Sequence, residues 1–163
     1  MPMQDRIRMI RKGLRLEPHP EGGYYRQVFK SARTVQPGDS RPERGALTAI
    51  YFLLIEGQCS RWHSVQSDEV WNHLEGGTLE LSCYDAAADR LTQLKLGPYG
   101  PGVESVTAVP AGMWQAANPL GAYVLAGCVV GPGFEFSDFR LAADDEVVSK
   151  AIRSLGAQYE ALL

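Results

Sequence analysis

Residues 57–76 read Gly57-Gln-Cys-Ser-Arg-Trp-His63-Ser-Val65-Gln-Ser-Asp-Glu69-Val-Trp71-Asn-His73-Leu-Glu-Gly76. Two glycines bracket an imidazole and a carboxylate in a stretch otherwise made of strand-forming residues. Glu69, Trp71 and His73 alternate, so on one strand all three face the same side. His73 can therefore point inward with Glu69. A histidine beside a carboxylate is an arrangement suited to proton abstraction, because the carboxylate fixes the tautomer and stabilises the imidazolium. The same pair also fits a purely structural histidine bonded to Glu69. The tryptophans split by parity. Trp71 can line a pocket with Glu69, whereas Trp62 and Trp114 oppose His63 and Gln115 and are expected to pack outside.

Working outward, short apolar runs alternate with Gly, Pro, Asp and Ser clusters: 24–29, 47–55, 69–74, 78–84, 91–96, 105–109 and 123–130. Seven or more short strands separated by turns predict an all-β sandwich, jelly roll or barrel over about residues 16–142. Segments 33–45 and 97–104 read as polar, Gly- and Pro-rich loops. Met3, Ile7, Ile10 and Leu14 recur at helical spacing and predict a helix over about 2–14. A second apolar stripe, from Val147 to Leu162, predicts a helix over about 144–162, with Asp144, Asp145 and Glu146 at its positive end. The length of 163 residues fits a single domain with one core.

Gly57, His63, Glu69 and Gly76 fall on the first cupin motif, G-x5-H-x-H-x3-E-x6-G, with Val65 where the second histidine stands. Pro110-Ala-Gly112 matches the start of the second motif, and Gln115 takes its histidine position. The sequence therefore resembles the cupin superfamily. His19-Pro-Glu-Gly-Gly-Tyr-Tyr-Arg-Gln27, Ser67-Asp-Glu-Val-Trp71 and Pro132-Gly-Phe-Glu-Phe136 are similar to signatures of one largely uncharacterised, sugar-epimerase-like cupin subfamily. The resemblance runs from about residue 14 to 142. It implies a jelly-roll barrel with a small-molecule site in its mouth.

The resemblance also implies a metal question. Transition-metal cupins usually offer three imidazoles and a carboxylate. Here His63 and Glu69 remain, Val65 cannot coordinate, and Gln115 offers one neutral amide oxygen. Such a set predicts no resident metal; at most a divalent ion would be held weakly by His63, Glu69 and Gln115. Metal-free cupins that epimerise nucleotide-linked sugars use a histidine matching His63 as base. Arg61 stands near their arginine position, and Glu21–Arg26 is a loose counterpart of their Arg-Gly-aromatic signature, though the Arg-Gly itself is absent. Their acid is a tyrosine, for which Tyr51, Tyr84 and Tyr123 are the candidates.

The expected site comprises His63 and Glu69 as catalytic groups, with Arg26, Trp71, His73, Gln115 and Tyr24 binding the ligand. Tyr24, Arg26 and Val28 share a strand face, which suits an arginine to a ligand carboxylate or phosphate. A salt bridge from Arg26 to Glu135 or Asp138 is the structural alternative, and His19 reads as part of a turn. Three functions follow: a metal-independent isomerase, epimerase or cyclase with His63 as base; a non-catalytic module or sensor for a small polar ligand; and a metal-dependent enzyme such as a dioxygenase.

Composition narrows the partners. The net charge of −3 comes with no basic block, which argues against nucleic acid. No run of eighteen apolar residues argues for a membrane span. The N-terminal MPMQDRIRMIRKG lacks a signal-peptide core, so a cytoplasmic protein is expected. Cys59, Cys83 and Cys128 lack metal spacing and read as buried free thiols. Apolar strands such as 47–55 and 124–130 would leave an exposed edge or face, so a homodimer is expected.

Overall fold

The computed structural model describes residues 2–163. Thirteen strands and three helices follow in chain order. They are α1 (Met3–Gly13), β1 (Glu17–Pro18), β2 (Tyr24–Lys30), β3 (Thr34–Val35), β4 (Arg44–Gly45), β5 (Thr48–Ile55), β6 (Ser60–Val65) and β7 (Asp68–Gly76). Then come β8 (Leu79–Asp85), β9 (Arg90–Leu96), β10 (Val106–Val109), β11 (Trp114–Pro119), β12 (Tyr123–Gly131), β13 (Phe139–Leu141), α2 (Glu146–Leu155) and α3 (Ala157–Glu160). Two antiparallel sheets, β1-β2-β5-β12-β7-β10 and β13-β6-β11-β8-β9, face each other as a cupin jelly roll. β3 and β4 form a separate two-stranded ladder.

Three apolar clusters hold these layers. Between the sheets lie Phe52, Leu54, Trp71, Leu81, Leu96 and Val124. Each large side chain buried this way contributes about 1.5–3 kcal/mol. Outside the six-stranded sheet, Ile7 and Ile10 of α1 pack on Leu53, Tyr123 and Leu125. Outside the five-stranded sheet, Val148 and Ile152 of α2 and Tyr159 of α3 pack on Trp62, Tyr84 and Trp114. Trp62 and Trp114 thus lie outside the barrel, as parity requires, and Trp62 Nε1 donates to Tyr159 O at 2.9 Å.

The expected second helix starts where Asp145 caps it, its carboxylate accepting from Val147 N and Val148 N at 3.1 and 3.0 Å. It does not run to 162 unbroken. Gly156 adopts φ +137°, a conformation that L side chains rarely take, and the chain turns there into α3. Segment 33–45 is also more ordered than its polarity suggests. Arg44 is buried, and its guanidinium pairs with buried Asp138. Arg41 reaches the same carboxylate at 3.4 Å and donates to Ser67 Oγ at 2.8 Å. Strands β6 and β11, which carry His63 and Gln115, lie outside the seven apolar runs; Ser60, Ser64, Gln115 and Asn118 dilute their hydrophobicity. Among the described residues no helix is long and apolar enough to cross a membrane.

Candidate functional site

At one end the barrel stays open. A cavity of about 280 Å³ enters between the sheets there, its polar lining led by His19, Glu21, His63 and Glu69. His63 sits on β6, paired in register with Gln115 of β11. Glu69 is the second residue of β7, opposite Val130 of β12. Glu21 and His19 come from the turn between β1 and β2. That turn docks tightly on the start of β6: Arg61 N donates to Glu21 O at 2.8 Å, and Arg61 Nη2 donates to Pro20 O at 2.7 Å. Gly22 makes the approach possible. Its φ is +113°, and a Cβ there would stand 2.1 Å from Cys59 O.

The carboxylate nearest the imidazole is not the expected one. His63 Nε2 stands 3.3 Å from Glu21 Oε2. His63 Nδ1 lies 2.8 Å from Arg61 O, and since a carbonyl only accepts, Nδ1 carries the proton. Neutral His63 therefore offers its Nε2 lone pair to Glu21. Burial lowers the imidazole's proton affinity, against the opposing charge of Glu69. Burial likewise pushes the Glu21 carboxyl up to about 8, although Ser60 Oγ donates to its Oε1 at 2.7 Å. A protonated Glu21 donating to His63 Nε2 satisfies both groups.

Glu69 is held from behind. Gln115 Nε2 donates to Glu69 Oε2 at 2.6 Å, while Gln115 Oε1 accepts from Trp71 Nε1 at 3.1 Å. Cys128 lines the cavity with the same carboxyl. Burial raises Glu69 to about 7, with His63 opposing and Glu21 adding to the rise. His63, Glu69 and Glu21 are 2%, 7% and 6% exposed, so three ionisable groups share one dry floor. His19 joins them at the side. Its Nδ1 accepts from Glu21 N at 3.2 Å, its ring meets Tyr25 edge-on at 4.5 Å, and burial lowers its pKa to about 3. Phe139 stacks on His63 at 5.4 Å.

Several sequence expectations change places. Tyr24 and Arg26 do not line the cavity. They occupy the outer face of β2, where Arg11 lies over the Tyr24 ring and Arg26 lies 5.8 Å from the Tyr51 ring centroid. Arg26 forms neither expected salt bridge; Glu135 pairs with Lys30 at 2.7 Å and Asp138 with Arg44. The inward residues of β2 are Tyr25, Gln27 and, past a register shift at Val28, Lys30. That bulge reverses the parity of Lys30, which is what an extra residue in one strand does. His73 has the inward register, opposite Ala126, but lies beyond Trp71 and outside the cavity, its Nε2 3.1 Å from Gly77 O. Gln115 is buried behind Glu69 and Trp71 and does not touch the cavity. The three candidate acid tyrosines are all elsewhere: Tyr84 donates to Asp89, Tyr123 to Glu75, and Tyr51 lies on the outer face. Tyr25 is the tyrosine that lines the cavity.

Sequence reasoning misses Glu21 as a site residue. Its local sequence reads as a turn, and only the long-range contact with Ser60 and His63 brings it inside. The signal for Tyr25 and Gln27 is the alternation of β2 itself, which defines two faces without saying which one is inward.

Two of the expected metal-donor positions carry no free donor. Val65 lines the cavity at one expected ligand position. Gln115 spends both ends of its amide on Trp71 and Glu69. Among the described residues no three His, Cys, Asp or Glu side chains are grouped so as to hold an ion.

A model of the Cupin superfamily (DUF985) matches residues 8–142. The chain belongs to that family. A crystal structure of a protein from Shewanella oneidensis is 30% identical, covering 99% of this chain and 95% of that one, with a TM-score of 0.78. A protein from Leishmania major is 29% identical over 95% of this chain and 94% of its own, also at a TM-score of 0.78. The oxalate decarboxylase of Bacillus subtilis shares the fold at 16% identity and a TM-score of 0.56, with 77% of this chain matching 29% of that one. No curated protein matches the sequence.

Proposed function

We propose that this cupin is a metal-independent isomerase that moves a proton at a carbon next to a carbonyl group of a small molecule seated in the barrel, with His63 as base. The observation that supports it is the His63 imidazole, its Nδ1 proton committed to Arg61 O and its Nε2 lone pair turned to Glu21 at the cavity floor. That lone pair takes a proton from carbon once the substrate displaces Glu21 from it. Glu69, raised to about 7, is poised to supply a proton to the carbonyl oxygen near neutral pH. The step balances without a co-reactant: a C–H bond breaks, its electrons form C=C, and the oxygen gains a proton. Return of a proton to a different carbon, or to the opposite face of the same carbon, completes the isomerisation. Desolvation raises Glu69 toward the range that proton donation at neutral pH requires and lowers His63, which keeps the imidazole unprotonated and able to accept.

The test is deuterium wash-in. Hydroxy-, amino- and carboxy-substituted ketones are incubated with the protein in D2O, and loss of the α-proton signal is followed by NMR. The expected result is exchange with wild type for at least one compound and none with His63→Ala. Binding of a ketone, seen as a rise in melting temperature, without any exchange across the panel would overturn catalysis and leave a binding module.

A further inference from the structure

The protein treats its buried carboxylates in two ways. Asp138 is given two arginines, Arg44 and Arg41. Glu21 and Glu69 are as deeply buried, yet among the described residues no lysine or arginine stands within ion-pair distance of either. Their partners are Ser60, Gln115 and the neutral His63. Burying a carboxyl without a cation is costly, and the fold supplies none of its own at this position.

The charges around the cavity divide by depth. At the rim Lys30 and Glu135 pair at 2.7 Å and cancel, each about half exposed. At the floor Glu21 and Glu69 face two imidazoles that burial keeps neutral, and Arg61, whose charge reaches Glu21, donates to Pro20 O outside ion-pair distance. Between rim and floor the walls are rings: Tyr25, Phe52, Trp71, Phe134 and Phe136. Ring faces attract cations as well as apolar surface. A floor of two carboxyls with no cation of their own, under aromatic walls and a neutral rim, is complementary to one ligand chemistry.

We propose that the cavity selects an organic cation, a protonated amine or iminium on an apolar body, which enters head first and pairs with Glu21 at the floor. This reading rests on the proposal that the cavity is the substrate site, and it gives that substrate a charge. A neutral ligand leaves Glu21 protonated on His63, a cation draws that proton off to solvent and pairs with the carboxylate, and an anion gains from neither form. The cavity of about 280 Å³ accommodates a single-ring amine with room for a few more atoms. Paired with the incoming cation, Glu21 would no longer need His63 as its partner, leaving Nε2 free toward the substrate carbon.

Three probes of nearly one shape test this: phenethylammonium, 2-phenylethanol and 3-phenylpropionate. Their affinities are measured by calorimetry at pH 8, where the amine is still protonated. The expected order places phenethylammonium at least roughly tenfold tighter than the alcohol, the scale of one charge-assisted buried contact, with the carboxylate weakest. In Glu21→Gln the ammonium advantage should shrink to about twofold or less while the alcohol binds as before. Equal affinities, a preference for the carboxylate, or no ammonium binding by about 10 mM (a free energy near 2.7 kcal/mol) would overturn the proposal. The wild-type series tests the selectivity by itself, even if the variant fails to fold. Ammonium selectivity without deuterium wash-in would sink the isomerase and spare the ligand class; wash-in with a carboxy-ketone alone, together with carboxylate preference, would do the reverse.

Discussion

Replacing Glu21 by glutamine should flatten the fall of stability with rising pH. Burial raises this carboxyl from 4.5 to about 8 in the folded protein. The folded state therefore keeps a proton that the unfolded state has already lost, and stability declines as pH rises from 4.5 through 8. The decline is about 1.4 kcal/mol per pH unit for one proton. Across the whole range, ionisation of Glu21 costs the fold about 5 kcal/mol. Glutamine preserves the local bonds. Its oxygen can accept from Ser60 Oγ, and its amide can donate to His63 Nε2 in place of the carboxylic acid. Wild type and variant should thus be nearly equal near pH 5, and the variant more stable by about 4 kcal/mol at pH 8. Glu69 titrates in both proteins; loss of the Glu21 charge lowers its carboxyl in the variant, which flattens the curve in the same direction. Urea denaturation at pH 5, 6, 7 and 8, with matching m-values, measures the gap directly. Parallel curves, or a constant penalty in the variant at every pH, would refute the claim that Glu21 is protonated in the folded site.

Two further outcomes are expected. Asp138→Asn should destabilise the protein by about 3 kcal/mol in the same urea assay, because Arg44 stays buried without its counter-charge; a loss under about 0.5 kcal/mol would show that the pair is solvated. Elemental analysis after dialysis against a chelator should find well under one transition metal per chain, since Val65 and the committed amide of Gln115 leave too few donors; stoichiometric zinc, iron or nickel would contradict that reading.

The layered architecture was legible in the sequence because it depends on local pattern. Continuous apolar runs such as Thr48–Ile55 and Tyr123–Gly131 are of strand length and rich in strand-forming residues, and the glycines and prolines between them fix where the chain turns. His63 and Glu69 were legible because their spacing places them on two consecutive strands of a known frame, one in each sheet. Strand parity also separated Trp62 from Trp71 correctly. It failed at Lys30, because a bulge at Val28 is a property of pairing with β5 and leaves no mark on the periodicity of β2.

What only tertiary structure decided was the partner of each polar group. Alternation shows that Tyr24 and Arg26 oppose Tyr25 and Gln27. Which pair faces the cavity depends on α1 covering the outer side of the sheet. Glu21 lies in a turn whose sequence announces flexibility. Its place beside His63 follows from the docking of that turn on β6, through Gly22 against Cys59 O and Arg61 on Pro20 O. The sequence alone determined that a histidine and a carboxylate would meet inside a jelly roll. The tertiary structure decided that the carboxylate is Glu21, because a side chain in a dry cavity bonds to whatever the fold brings within about 3 Å, however far away it lies in the chain.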